Sequence, residues 1–398
     1  MSTKSLLTGC AVGCAVVVFL LIGGGFIAYR YYLAPQMERM MAEMQSVGEP
    51  GVVTGAGFLE QEVFLSDERL GMVSDIALGK LDSAEGIEMV VASGEGAAFA
   101  TKDGEMKSFR QFQHSCDRVD IIDVEGDGVC EFMEPGSWGS EAALVSHGGE
   151  LLWTYGGESS GVNDMCAGDV DGDGRLEFAV GLNGSGGVHL VDSDGALVWR
   201  RRDENVWQVE MLDTDGDGSP EILHTNASGQ LTVRDASGDV LRRARPTPED
   251  GSHAYFSQFA ICNWPTKSGP RLVLAPGPDT VGLFDDRGSL VTELEAPDLN
   301  QFAEVKGVPI KLEAEAPEYF AVLATYQVAE QAALYLYDAD KALVYHEILA
   351  EPSRAIAAIP IGASGAEAIL IGGEGRVLKY TAAAGGGQTS SPTAASSR

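Results

Sequence analysis

Asp169-Val-Asp-Gly-Asp-Gly-Arg-Leu-Glu177 has two near copies in this chain, Asp123-Val-Glu-Gly-Asp-Gly-Val-Cys-Glu131 and Asp213-Thr-Asp-Gly-Asp-Gly-Ser-Pro-Glu221. Their first residues lie 46 and then 44 positions apart. A repeated acidic pattern at a nearly constant spacing carries two messages. The pattern bears on what binds, and the spacing bears on what fold presents it.

In each stretch positions 1, 3, 5 and 9 are acidic: Asp123, Glu125, Asp127 and Glu131; Asp169, Asp171, Asp173 and Glu177; Asp213, Asp215, Asp217 and Glu221. Carboxylates held this closely repel one another unless a cation neutralises them. Glycines at positions 4 and 6 let the backbone turn sharply, so that alternate side chains point inward. Several carboxylates with a backbone carbonyl, expected at position 7, make the all-oxygen set that Ca²⁺ accepts; Mg²⁺ keeps waters and demands a stricter octahedron. Up to three structural Ca²⁺ ions are therefore expected. An EF-hand needs Glu at position 12 and a helix on each side. Here position 12 is Glu134, Val180 and His224, and the flanks Glu177-Phe-Ala-Val-Gly-Leu182 and Glu221-Ile-Leu-His-Thr225 read as strands. The bland alternative is a solvated acidic turn in which Asp and Gly serve turn chemistry alone.

Periods of 40–50 residues point to repeat architectures. Each unit also ends in an apolar run, a polar turn with Gly and a second apolar run, as in Ala143 to Trp153, Val188 to Trp199 and Leu231 to Leu241. These read as β-hairpins. Their turn glycines, Gly104, Gly149, Gly195, Gly238 and Gly288, keep the period, and Trp153 and Trp199 hold equivalent places. In this register weaker copies emerge. Gly79 to Glu88 aligns with Gly168 to Glu177 but has lost most acidic positions; Phe259 to Leu290, Phe302 to Leu349 and the shorter Ala355 to Thr381 follow. The expected fold is all-β: a β-propeller of seven blades, each of four antiparallel strands, with six or eight blades as the alternatives. The last unit is one strand short, and Phe58 to Leu65 is expected to supply it and close the ring, because an open ring would leave strand edges exposed.

The three acidic stretches resemble the D-x-D-G-D-G-x-x-E element of FG-GAP/VCBS-type repeats, found in integrin α-subunit propellers and many bacterial surface proteins. The resemblance covers roughly residues 55–381. It implies that each acidic loop joins two strands of a blade and holds Ca²⁺ through the twelve carboxylates named above. Integrin-type loops more often end in Asp, whereas all three here end in Glu. Nothing in the chain resembles the other integrin domains, so integrin function does not carry over.

Leu6 to Tyr29 carries no charge and lies between Lys4 and Arg30. It is long enough to cross a bilayer as a single transmembrane helix, with Tyr29, Tyr31 and Tyr32 at the interface. A cleaved signal peptide is disfavoured by the length of the stretch and the lack of an A-x-A site. Leu7-Thr-Gly-Cys10 mimics a lipobox without an apolar core ahead of it. The expected organisation is a short tail (1–5), an anchor (6–29), a juxtamembrane helix and linker (30–54), the propeller (55–381) and a disordered tail (382–398). The helix is expected over Pro35 to Ser46, with Met37, Met40, Met41 and Met44 on one side. Residues 33–48 then form a stalk or a self-association seam. Flanking positive charge leaves topology even. The acidic loops tip it, because weak Ca²⁺ sites fill outside cells and stay largely empty in resting cytosol. The propeller is therefore expected outside the cytoplasm, periplasmic or at the cell surface.

A formal net charge of −32 argues against nucleic acid, which is held by basic patches. The four cysteines of the propeller, Cys116, Cys130, Cys166 and Cys262, show no C-x-x-C spacing and leave buried thiols or two bridges open. Asn183-Gly-Ser185 and Asn226-Ala-Ser228 match glycosylation acceptors and equally suit turns. The six histidines fall at unrelated repeat positions, and no H-E-x-x-H, G-x-S-x-G or phosphate-binding loop is present. No catalytic residue is assigned. The functional expectation is a membrane-anchored, Ca²⁺-stabilised module that binds a protein or glycan. Its rivals are a propeller enzyme acting on a polysaccharide, marked by acidic and basic groups at one channel mouth, and a scaffold subunit of an envelope complex.

Overall fold

Among the described residues, twenty-nine strands between 51 and 382 build seven sheets arranged as a closed ring of blades. The computed structural model describes residues 30, 33–45, 47–82, 85–94, 96–111, 118–135, 141–156, 160–247, 260–264, 271–314, 318–362 and 365–383. Two compact units emerge, residues 1–46 and 47–398. The first contains a helix, Ala34–Met44, with Pro35 in its opening turn and Met37, Met40 and Met41 exposed. The expected anchor over 6–29 lies outside the described residues. Among the described residues, no helix is long and apolar enough to cross a membrane.

From innermost to outermost strand, blade 1 runs Val73–Asp82, Ile87–Ser93, Gly96–Ala100 and Met106–Gln111. Blade 2 runs Asp120–Ile122, Glu131–Pro135, Glu141–Val145 and Leu151–Gly156; blade 3 runs Val162–Gly168, Glu177–Leu182, Gly187–Val191 and Leu197–Arg201. Blade 4 runs Val206–Leu212, Glu221–Asn226, Leu231–Arg234 and Val240–Ala244; blade 5 runs Ala260–Trp264, Arg271–Gly277, Thr280–Phe284 and Leu290–Glu295. Blade 6 runs Glu304–Ile310, Tyr319–Tyr326, Gln331–Tyr337 and Leu343–Leu349. Blade 7 has only three strands from its own repeat, Ala355–Ile361, Ala366–Gly373 and Arg376–Ala382. Leu59–Ser66 pairs antiparallel with Arg376–Ala382 and completes it. The closing strand expected from the sequence is thus in place. Within the segment expected as linker, Gly51–Thr54 pairs with Leu343–Leu349 and gives blade 6 a fifth strand.

The core explains why the ring closes. Both faces of a blade's middle strands pack against neighbouring blades, so these strands carry near-continuous apolar runs such as Glu177–Leu182 and Tyr319–Tyr326. Burying such runs against a neighbour is the main favourable term available to a repeat unit. Among the described residues, seven buried clusters result, one in each gap between adjacent blades. Phe99, Phe132 and Val145 lie between blades 1 and 2, and Val73, Met89, Leu370 and Val377 join blade 7 to blade 1.

The hairpin turns lock neighbouring blades together at the rim. Gly104, Gly149, Gly195, Gly238 and Gly288 all have φ between 70° and 85°, which is favourable only without a side chain. Lys341 holds the same turn position in blade 6 at φ 70°. The turn of one blade receives the outer strand of the previous one. Trp153 Nε1 donates to Ser193 O at 3.1 Å and Trp199 Nε1 donates to Ala236 O at 2.8 Å. A Cβ on Gly195 or Gly238 would meet these indole rings at 2.8 or 3.0 Å. The tryptophan spacing seen in the sequence is therefore an inter-blade clasp.

Candidate functional site

The acidic stretches form the turns between the first and second strands of blades 2, 3 and 4. Strands, not helices, flank each one, as the EF-hand exclusion requires. The glycines at positions 4 and 6, Gly126 and Gly128, Gly172 and Gly174, Gly216 and Gly218, all adopt positive φ between 72° and 97°. The turn is organised by the first carboxylate. Asp169 accepts the amides of Gly172 at 2.8 Å, Asp173 at 3.1 Å and Gly174 at 2.9 Å. Asp123 and Asp213 accept the corresponding glycine amides. The Glu at position 9 reaches back to the amide of position 2: Glu131 to Val124, Glu177 to Val170 and Glu221 to Thr214, at 3.0, 3.0 and 2.8 Å. These three glutamates are buried.

Two of the loops gather carboxylates closely enough to share an ion. Asp169, Asp171 and Glu177 offer oxygens within 4.8 Å of one another, and so do Asp213, Asp215 and Glu221. That separation suits Ca²⁺, whose ligands sit at about 2.3–2.6 Å. Burial pushes Glu177 above the ordinary carboxylate range against its Val170 amide bond, with Asp171, Asp173 and Asp169 adding to the rise. A cation in that set would relieve the repulsion. Among the described residues, the loop with Asp123, Glu125 and Glu131 forms no such group. The position 5 carboxylates Asp127, Asp173 and Asp217 each cap the amide two residues on, at 2.8 Å, instead of joining a triad.

A second site lies where all seven innermost strands converge. A channel cavity of about 420 Å³ is lined by Asp75, Arg118, Asp120, Asp164, Gln208, Glu210 and Lys306, with Ala260, Ile261, Ile356 and Ala358 among its apolar residues. None of the described histidines lines it. The sequence reading did not find this cluster, yet a signal existed. Arg118, Asp164 and Gln208 each stand five residues before the first Asp of their loop, and Asp75 holds that place in the degenerate first copy. Asp120 and Glu210 stand three before it. These are charged or polar residues recurring in strands that otherwise point apolar side chains inward.

The first of these two positions fastens blades together. Asp75 accepts the amide of Val119 in blade 2 at 3.1 Å, Asp164 that of Val209 in blade 4 at 2.8 Å, and Gln208 that of Ile261 in blade 5 at 3.0 Å. Arg118 occupies the position in blade 2 and forms an ion pair with buried Asp164. Burial alone would lower the Arg118 guanidinium, but Asp164, Glu210 and Asp75 outweigh it and its pKa rises.

The second position and Lys306 behave differently. Burial, with Asp164 close by, lifts the Glu210 carboxyl to about 8. Asp120 opens onto the channel, but the protein around it displaces enough solvent to lift it to about 6 against the bond from the Ile121 amide. Burial lowers the Lys306 ammonium, and Asp75 offsets this only in part. Cys166 also lines the channel, and its thiol is raised well above the ordinary value by burial, so it is poorly nucleophilic. Cys130 and Cys166 are both free thiols; Cys116 and the side chain of Cys262 lie outside the described residues.

No protein-family model matches the chain, and no curated protein matches it. Solved structures share the fold. BBS1N, in a complex with ARL6DN soaked with lead, is 12% identical with a TM-score of 0.57, covering 82% of this chain and 96% of that one. The Pan2 WD40 domain of Neurospora crassa is 11% identical with a TM-score of 0.52, covering 81% of this chain and 95% of that one. At such identity the likeness extends to the seven-bladed propeller and no further.

Proposed function

We propose that the protein is a membrane-anchored, calcium-stabilised β-propeller of the FG-GAP/VCBS repeat type that binds a protein or glycan outside the cytoplasm. The observation that carries the calcium reading is the pair of triads in adjacent blades, Asp169–Asp171–Glu177 and Asp213–Asp215–Glu221. In each, three carboxylates lie close enough to share one ion. A bound Ca²⁺ supplies charge neutralisation there, and its binding energy then adds to folding. The loop after Asp123 would contribute a third, weaker site. The binding role is supported by the rigid ring and by BBS1N, a propeller of the same fold captured in complex with another protein. The anchor reading rests on the uncharged stretch Leu6 to Tyr29, and the extracytoplasmic reading on the calcium concentrations that such loops need.

Thermal unfolding of the full chain in detergent, with Ca²⁺ and with chelator, tests the calcium reading. A Ca²⁺-dependent rise in melting temperature is expected, and coincident curves would overturn it. Protease protection of the propeller in intact cells tests the location. The rival reading, an enzyme acting on a polysaccharide, gains the acidic and basic channel groups it calls for. The channel's formal charges suit a compact charged ligand better than a neutral sugar chain.

A further inference from the structure

Within the channel, the charged side chains divide into those that hold the ring together and those that do not. Asp75 and Asp164 each accept an amide of the next blade, and Arg118 is paired with Asp164. Glu210 accepts no hydrogen bond from a described residue. Among the described residues, Asp120 accepts only the amide of the residue that follows it. Lys306 forms no ion pair with a described residue, and its ammonium reaches only Ser74 O, at 3.5 Å. Ionisable groups that face one cavity with no ion-pair partner among the described residues are a feature of ligand sites.

We propose that the central channel binds a small basic amino acid. Its two cationic groups would meet Glu210 and Asp120, and its carboxylate would meet Lys306. The argument is charge complementarity. The uncommitted groups are two carboxylates and one ammonium, so the matching ligand carries two positive charges and one negative. Glu210, Asp120 and Lys306 lie on the innermost strands of blades 4, 2 and 6 and face one cavity from different sides. Blades 5 and 7 flank Lys306 and present Ala260, Ile261, Ile356 and Ala358, apolar surface for the methylenes that join the ligand's two ends. The cavity of about 420 Å³ falls in the size range of small-molecule pockets. A metal ion is a poorer fit, because among the described residues no three channel carboxylates converge as the loop carboxylates do. The inference does not rest on the calcium reading, since no ligand of either loop triad lines the channel.

Isothermal titration of the full chain in detergent with L-arginine and with L-lysine tests it, with L-glutamate as the counter-probe. Saturable binding of at least one basic amino acid is expected, with none for L-glutamate. Glu210→Gln and Lys306→Met should each weaken it roughly tenfold or more, while Lys102→Ala, in the exposed hairpin turn of blade 1, should leave it unchanged. Heats measured in buffers of different ionisation enthalpy should reveal a proton released on binding, because a cation favours ionised Glu210. That readout and the counter-probe stand even if a variant fails to fold. Absence of saturable binding to both probes, equal binding of L-glutamate, or affinity unchanged in both channel variants would overturn the proposal.

Discussion

The acidic loops and the central channel both gather carboxylates, and they treat them in opposite ways. In the loops the charges are close in sequence, and their own turn satisfies them. Asp169 alone accepts three amides from the next five residues. In the channel the charges come from different blades. Glu210 accepts no hydrogen bond from a described residue, and its carboxyl is lifted to about 8. A loop carboxylate is a local device that would exist in any blade carrying the motif. A channel carboxylate gains its properties only when the ring closes around it. Perturbing each region should therefore give distinguishable results.

The largest effect is expected from Arg118→Ala. It leaves buried Asp164 without its cation, and breaking such a pair costs about 3 kcal/mol. A loss of unfolding free energy of that order, read from urea titrations, is expected in Ca²⁺ and in chelator alike. A calcium-dependent loss would erase the separation between the two regions.

The next effect has a sign opposite to most substitutions. Folding raises Glu210 from 4.5 to about 8, so the folded protein holds this proton more tightly than the unfolded chain. The associated stability is complete below the unfolded value and is lost as pH climbs through about 8. Burial is the main cause, with Asp164, Asp120 and Asp75 adding to it and Arg118 opposing it. Glu210→Gln should therefore stabilise the protein by about 2 kcal/mol at about pH 9 and change little at about pH 4. Melting curves at the two values check it, and an equal shift at both would show that Glu210 is not perturbed by the channel.

In the loops, Asp171→Ala should lower the melting temperature by roughly 2–5 °C in Ca²⁺ and by much less in chelator. Asp171 accepts one amide within its loop, so its loss matters mainly through the ion. Asp169→Ala should cost stability in both conditions, since the three amides it holds need no metal. Equal losses for Asp171→Ala in the two conditions would count against ligation. The smallest effect belongs to Lys80→Ala in the degenerate first copy, where Ca²⁺ stoichiometry by titration should not change. A lower count would show that blade 1 carries a site after all.

The turn glycines, the hairpin register and the equivalent places of Trp153 and Trp199 were legible in the sequence, because each recurs at a fixed period; the clasps that the two tryptophans form with the next blade were not, because their partners lie in another blade. The closing strand was legible for a different reason. Blade 7 lacks an outer strand of its own, and Leu59–Ser66 was the apolar run left to pair with it. Gly51–Thr54 was not legible as a strand. Its four residues, all exposed, carry no alternation, and it is held by the edge that blade 6 offers. The convergence of Asp171 with Asp169 and Glu177 followed from the loop pattern. The turn of Asp173 to the Arg175 amide did not, because the competing backbone donor exists only once the loop has folded.

By itself, the sequence determined the repeat, the strand order within each blade, the glycine turns and the acidic loops. All of these are written in contacts between near neighbours, where spacing fixes geometry. The tertiary structure alone decided the channel. Asp120, Glu210 and Lys306 lie up to 186 positions apart in the chain, and each looks like an ordinary strand residue until seven innermost strands close around one axis. Only then does the loss of surrounding water shift their protons and leave ionisable groups facing one cavity with no ion-pair partner among the described residues.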